Sequence, residues 1–83
     1  MDKDLILKYF KSDDVINMSI YLLENKFSVL DTIFEIGDLV NEQQFDYFIH
    51  KVSDNILGSV YDCNFEKKLI ELNIPHKPKE SAC

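Results

Sequence analysis

The sequence predicts an all-α protein, a compact bundle of about five short helices or two stacked helical hairpins, on the strength of three observations. Glycine occurs only at 37 and 58 and proline only at 75 and 78, so little interrupts a helix before residue 75. Apolar residues recur at three- and four-residue spacing in successive segments. The 83-residue chain is 46% hydrophobic and holds six Phe and four Tyr, which argues for one folded domain over residues 1–75 and against disorder. A chain this short needs an efficient core, which requires Phe10, Phe34, Phe45, Phe48 and Phe65 to point inward.

In the first segment Leu5, Ile6, Tyr9 and Phe10 make an apolar stripe on a helix over residues 2–11. Asp2 and Asp4 sit in its first turn, where carboxylates meet the positive end of the helix dipole. Ser12 is the expected N-cap of a second helix, with Asp13 and Asp14 in its first turn and an end near Asn25. Its apolar set, Val15, Ile16, Met18, Ile20, Leu22 and Leu23, is too broad for one stripe, so this helix is expected between neighbours. Ser28 caps a third helix through Val29, Leu30, Ile33, Phe34 and Ile36, ending between Gly37 and Val40.

The fourth helix carries the clearest signal. Asn41 and Gln44 suggest a capping box, and Phe45, Phe48, Ile49, Val52 and Ile56 follow at i, i+3, i+4, i+7 and i+11, until Gly58 ends or kinks the helix. A fifth helix opens near Asp62 or Asn64, carries Phe65, Leu69, Ile70 and Leu72, and stops before Pro75. Residues 76–83, HKPKESAC, are polar and proline-broken and are expected to form a flexible C-terminal tail.

The run Leu7-Lys8-Tyr9-Phe10-Lys11-Ser12-Asp13-Asp14, followed by Asn17 and by Leu22-Leu23, resembles the helix-turn-helix units of HEAT-like bacterial repeat proteins over about residues 5–25. The resemblance implies that the Ser-Asp-Asp turn opens the second helix and that Asn17 bonds back to the connecting loop. No repeat period continues beyond it, so a solenoid is not expected.

The net charge of −6 is distributed along the chain and every basic residue is Lys. A negative surface repels nucleic acid and anionic lipid, and without Arg the bidentate grip on phosphate or guanine is missing, so nucleic acid is not an expected partner. A basic protein surface is, although acidity that serves only solubility explains the same charge. The start Met1-Asp2-Lys3-Asp4 lacks the features of a secretory signal and no apolar run spans a bilayer; a cytoplasmic location without membrane insertion is expected. Cys63 and Cys83, twenty positions apart, match neither a disulfide framework nor a zinc knuckle and are expected as reduced thiols.

Chemistry-bearing constellations are few. Glu42, Asp46 and His50 share one helical face at i, i+4 and i+8 and could hold a metal or pass a proton, but a solvated polar flank explains them equally, and zinc would need further ligands. Cys63 precedes a helix start, yet Asp62 and Glu66 beside it disfavour a thiolate, and an inert cysteine is expected. Both glycines are isolated, so no phosphate loop exists. No catalytic residue, cofactor or metal is assigned.

Tyrosines are more suggestive: Tyr9, Tyr21, Tyr47 and Tyr61 fall at the edges of their stripes, where they either cap the core or present rings to a partner. Glu42, Asp46, Tyr47, His50 and Asp54 form the candidate protein-binding patch. The function expected from size, charge and the missing catalytic set is a stoichiometric inhibitor or regulator, such as an immunity protein or antitoxin that masks a basic toxin surface. A phage or mobile-element regulator, acting in lysis control or anti-defence, is the alternative suggested by heavy use of Ile, Asn, Lys and Asp. A metal or catalytic protein centred on His50 is a third, and self-association into a homodimer stays open.

Overall fold

Each α-helix of the computed structural model, which describes residues 2–58, 60–76 and 80–81, begins on a polar side chain that closes its first turn. Helix α1 (Lys3–Lys11) is capped by Asp2, α2 (Val15–Glu24) by Asp14 and α4 (Glu42–Leu57) by Asn41, in each case through a backbone N–H two or three residues into the helix. Helix α3 (Val29–Ile36) has a full capping box in which the Ser28 hydroxyl accepts from the Asp31 N–H and the Asp31 carboxylate from the Ser28 N–H. Asp62 opens α5 (Cys63–Glu71) and accepts from both Asn64 and Phe65. Such caps contribute about 1 kcal/mol each.

Ser12 has a different role from the one its sequence position suggests. It ends α1, its hydroxyl donating to the Lys8 carbonyl at 2.8 Å, while Asp14 caps α2. The shift follows from Asp13, whose φ of 53° turns the chain between the two helices. The Asn17 side chain donates back to Asp14 Oδ2 at 2.7 Å.

Three of the five described α-helices stop without glycine. Asp13, Lys26 and Asn73 all adopt left-handed backbone (φ 53°, 58° and 55°) just past the ends of α1, α2 and α5. At each end two N–H groups fold back onto the last turn: Asp14 to Tyr9 and Asp13 to Phe10, Phe27 to Leu22 and Lys26 to Leu23, Ile74 to Leu69 and Asn73 to Ile70. This doubled pattern is the Schellman motif, and it seals carbonyls that a helix end otherwise leaves open. The pairs Phe27–Leu22 and Ile74–Leu69 add the apolar side-chain combination that commonly accompanies the motif. Helix α3 ends instead in a 3-10 turn, Gly37–Leu39, and α4 ends at Gly58, where a Cβ would collide with the Asp54 carbonyl oxygen.

Two apolar clusters hold the helices together, and α2 joins both. Met18 and Leu22 face Ile6 of α1, Ile36 of α3 and Phe45, Phe48, Ile49 and Val52 of α4. Ile20, on another side of α2, packs with Phe65 and Leu69 of α5 and with Ile74. Phe10 lies parallel to Phe48 at 5.5 Å and edge-on to Phe45 at 5.7 Å between ring centroids. Two buried polar side chains are paired within the same frame: Ser19 donates to the Val15 carbonyl, and Asn55 of α4 donates to the Ser19 hydroxyl of α2 at 3.3 Å.

Phe34 does not enter this core, against the expectation from its spacing. It is 79% exposed, because α3 turns Thr32 and Ile36 inward and so leaves Leu30 and Phe34 about half a helical turn away. The bundle is all-α apart from a short parallel bridge between Val60–Tyr61 (β1) and Glu80–Ser81 (β2). That bridge holds the described part of segment 76–83 beyond His76; residues 77–79, 82 and 83 lie outside the described residues.

Two substitutions separate these effects. Phe48→Ala removes a fully enclosed ring and is expected to cost about 3–5 kcal/mol in urea unfolding. Lys26→Gly relieves the left-handed residue after α2 and is expected to stabilise by about 1 kcal/mol in the same assay.

Candidate functional site

The solvent side of α4 carries all five residues of the candidate patch, and all five are exposed. At about 100° of rotation per residue they spread over an arc of about 140° whose two ends face different neighbours. Glu42, Asp46 and His50 follow one flank, beside the exposed Leu57, while Tyr47 and Asp54 follow the other with Lys51. The patch is therefore one continuous arc, with His50 and Asp54 adjacent at its middle.

On the Tyr47 flank, Lys51 organises the contacts. Its ammonium stands 4.4 Å from the centroid of the Tyr47 ring and 3.9 Å from Asp13 Oδ2 in the α1–α2 turn. Both interactions are solvent-exposed, so each contributes little to stability while limiting where the side chains point. Asp13 lines two shallow grooves. One, of about 470 Å³, is bordered by Asp13, Asp14, Lys51, Asp54, Asn55 and Asp62, so four carboxylates face it around one ammonium. The other, of about 590 Å³, is more apolar and lies between Phe10, Lys11, Gln43, Gln44 and Tyr47. These grooves come together because the Schellman turn at Asp13 brings the end of α1 against the middle of α4.

Among the described residues no group of three His, Cys, Asp or Glu side chains is placed to share a metal ion, and no helix is long and apolar enough to cross a membrane. The other tyrosines divide. Tyr21 is half-buried, stacks obliquely between Tyr9 and Phe27, and its hydroxyl accepts the Asp2 N–H at 3.0 Å, so Tyr9 and Tyr21 are committed to intramolecular contacts. The side chain of Tyr61 lies outside what the structure describes.

Cys63 corrects the expectation of a reduced thiol: it is disulfide-bonded. The parallel register pairs Val60 with Glu80 and Tyr61 with Ser81, an offset of twenty that equals the separation of the two cysteines in the sequence. Cys83 itself lies outside the described residues.

A feature missed at the level of sequence patterning is the segregation of charge. Residues 27–50 contain Asp31, Glu35, Asp38, Glu42 and Asp46 and neither Lys nor Arg, whereas the remaining ten carboxylates are nearly balanced by nine Lys. Five of the six net negative charges therefore fall on α3, its 3-10 turn and the first half of α4. Only Glu35 has a basic neighbour within ion-pair distance among the described residues, Lys3 at 3.9 Å. Counting charge by segment would have revealed this.

Comparison with known proteins returns no matching family, no matching curated protein and no matching solved structure.

Cys63 offers a direct check. Alkylation in denaturant without reductant is expected to leave it unmodified, and full alkylation is expected after reduction, as read by intact mass. Because disulfides persist in oxidising compartments and are rare in the cytosol, the same readout on protein quenched in cells reports the compartment in which the chain resides.

Proposed function

We propose that this protein is an acidic binding module that acts by covering a basic surface of another protein, in the manner of a stoichiometric inhibitor such as an immunity protein or antitoxin. The observation that carries this reading is the lysine-free stretch from Phe27 to His50, whose carboxylates Asp31, Asp38, Glu42 and Asp46 are exposed on consecutive elements. Charges of one sign held on a rigid helical frame attract an oppositely charged partner over about a Debye length and favour its approach in one orientation. Acidity needed only for solubility could be spread evenly over the chain, and here it is not.

The flanks of α4 supply different parts of such a surface. Glu42 and Asp46 extend the acidic face of α3, while Tyr47, braced by Lys51, offers an exposed aromatic ring of the kind enriched at interfaces. His50 and Asp54, four residues apart, sit side by side where the two flanks meet.

The test is binding to the partner that co-purifies from the native cell. Glu42→Lys combined with Asp46→Lys is expected to weaken the complex by about tenfold or more, with the larger effect on the association rate and a loss of salt dependence. Lys67→Glu, at an exposed position of α5, should leave it within about threefold. Affinity that ignores both ionic strength and the double charge reversal would overturn the reading.

A further inference from the structure

The acidic segment also carries an apolar face that no element in the described structure covers. Leu30, Ile33 and Phe34 stand at i, i+3 and i+4 on α3 and are 58%, 39% and 79% exposed; Leu39 in the following 3-10 turn is 59% exposed. Gly37 comes next on the same stripe. A Cβ there would make only ordinary van der Waals contact, at 3.9 Å, with Ile33 Cγ2. Large exposed side chains gathered on one short helix differ from the scattered apolar residues of ordinary surfaces and mark places of contact.

Carboxylates run along one side of this stripe. Asp31, Glu35 and Asp38 alternate with it in sequence, and Glu42 follows at the start of α4. Asp31 is held by the capping box and Glu35 stands near Lys3, while Asp38 and Glu42 are exposed. We propose that the face formed by Leu30, Ile33, Phe34 and Leu39 is the docking site for a cationic amphipathic helix of a partner protein. The proposal rests on the acidic-module reading above and specifies what the partner presents: an apolar ridge flanked by Lys or Arg.

The occupant follows from charge and shape. A helix places apolar side chains at the same i, i+3, i+4 spacing, so its ridge packs along the α3 stripe. Its basic flank meets carboxylates on a segment that has no lysine of its own. A second copy of this chain would instead set α3 against α3 across a two-fold axis and bring like-charged carboxylates together. An anionic membrane is repelled by the same charges.

The experiment uses the full chain, oxidised, with a fluorescein-labelled helical peptide of about 14 residues in a Leu/Lys amphipathic pattern. A Leu/Glu peptide of identical apolar pattern is the control. Fluorescence anisotropy is expected to show saturable binding of the Leu/Lys peptide and none of the Leu/Glu peptide. Phe34→Ser and Leu30→Ser, both at exposed positions, are expected to retain the circular dichroism of the parent and to weaken binding about tenfold each. Glu42→Lys with Asp46→Lys should weaken it as well. If the serine variants bind as tightly as the parent while the charge reversal weakens binding, the docking face is wrong and the acidic-surface reading survives. Absence of binding by the parent overturns the docking face. So does a parent dimer in sedimentation that Phe34→Ser converts to monomer, since the face then belongs to a second copy.

Discussion

Burial of α2 on more than one side is the constraint from which the rest of the structure follows. Met18 and Leu22 fasten it to α1, α3 and α4, and Ile20 fastens it to α5 and Ile74. A domain of this size holds few apolar side chains, so one helix that serves two clusters makes those residues act together. The Asn55–Ser19 hydrogen bond fixes α2 against α4 by polar geometry as well as by packing, since each group would be costly to bury alone. With α2 and α4 so fixed, the α1–α2 turn is held where Asp13 meets Lys51, and α3 is held at the edge of the larger cluster.

That edge position gives α3 its character. Thr32 and Ile36, with Val29 beside them, attach it, which frees Leu30, Ile33 and Phe34 from the core. A protein near the lower limit of domain size has little apolar surface to spare, so its most exposed phenylalanine lying on its most acidic segment asks for an explanation beyond solubility. Joined on α3 and continued by Glu42 and Asp46 on α4, charge and apolar area give one surface both long-range attraction and short-range adhesion. Charge sets how fast a partner arrives, and the apolar side chains set how long it stays.

Much of the fold was legible in the residues because helix starts and stripes are local signals. Ser28, Asn41 and Asp62 cap where capping chemistry says they should, and the period of Phe45, Phe48, Ile49 and Val52 marks the buried side of α4. Helix ends were harder. Asp13, Lys26 and Asn73 stop helices through left-handed backbone that glycine usually supplies, and composition alone does not flag a lysine in that role. Phe34 was misplaced for a related reason: a stripe shows which residues share a face, and tertiary packing decides that a threonine on the opposite face is the one buried. The candidate patch was legible only as a set of exposed residues on one helix, because tertiary packing decides that its Tyr47 and Asp54 end is the one that meets the α1–α2 turn. The disulfide at Cys63 was hidden too, since the register of a two-residue bridge is not written in any local pattern.

Hydrogen–deuterium exchange of the protein, free and bound to its co-purified partner, tests the central claim most directly. Added protection on complex formation is expected across residues 28–46, spanning α3, the 3-10 turn and the first turns of α4, with α1 and α5 little changed. Protection confined to α5 or to the α1–α2 turn, with α3 exchanging as in the free protein, would contradict it.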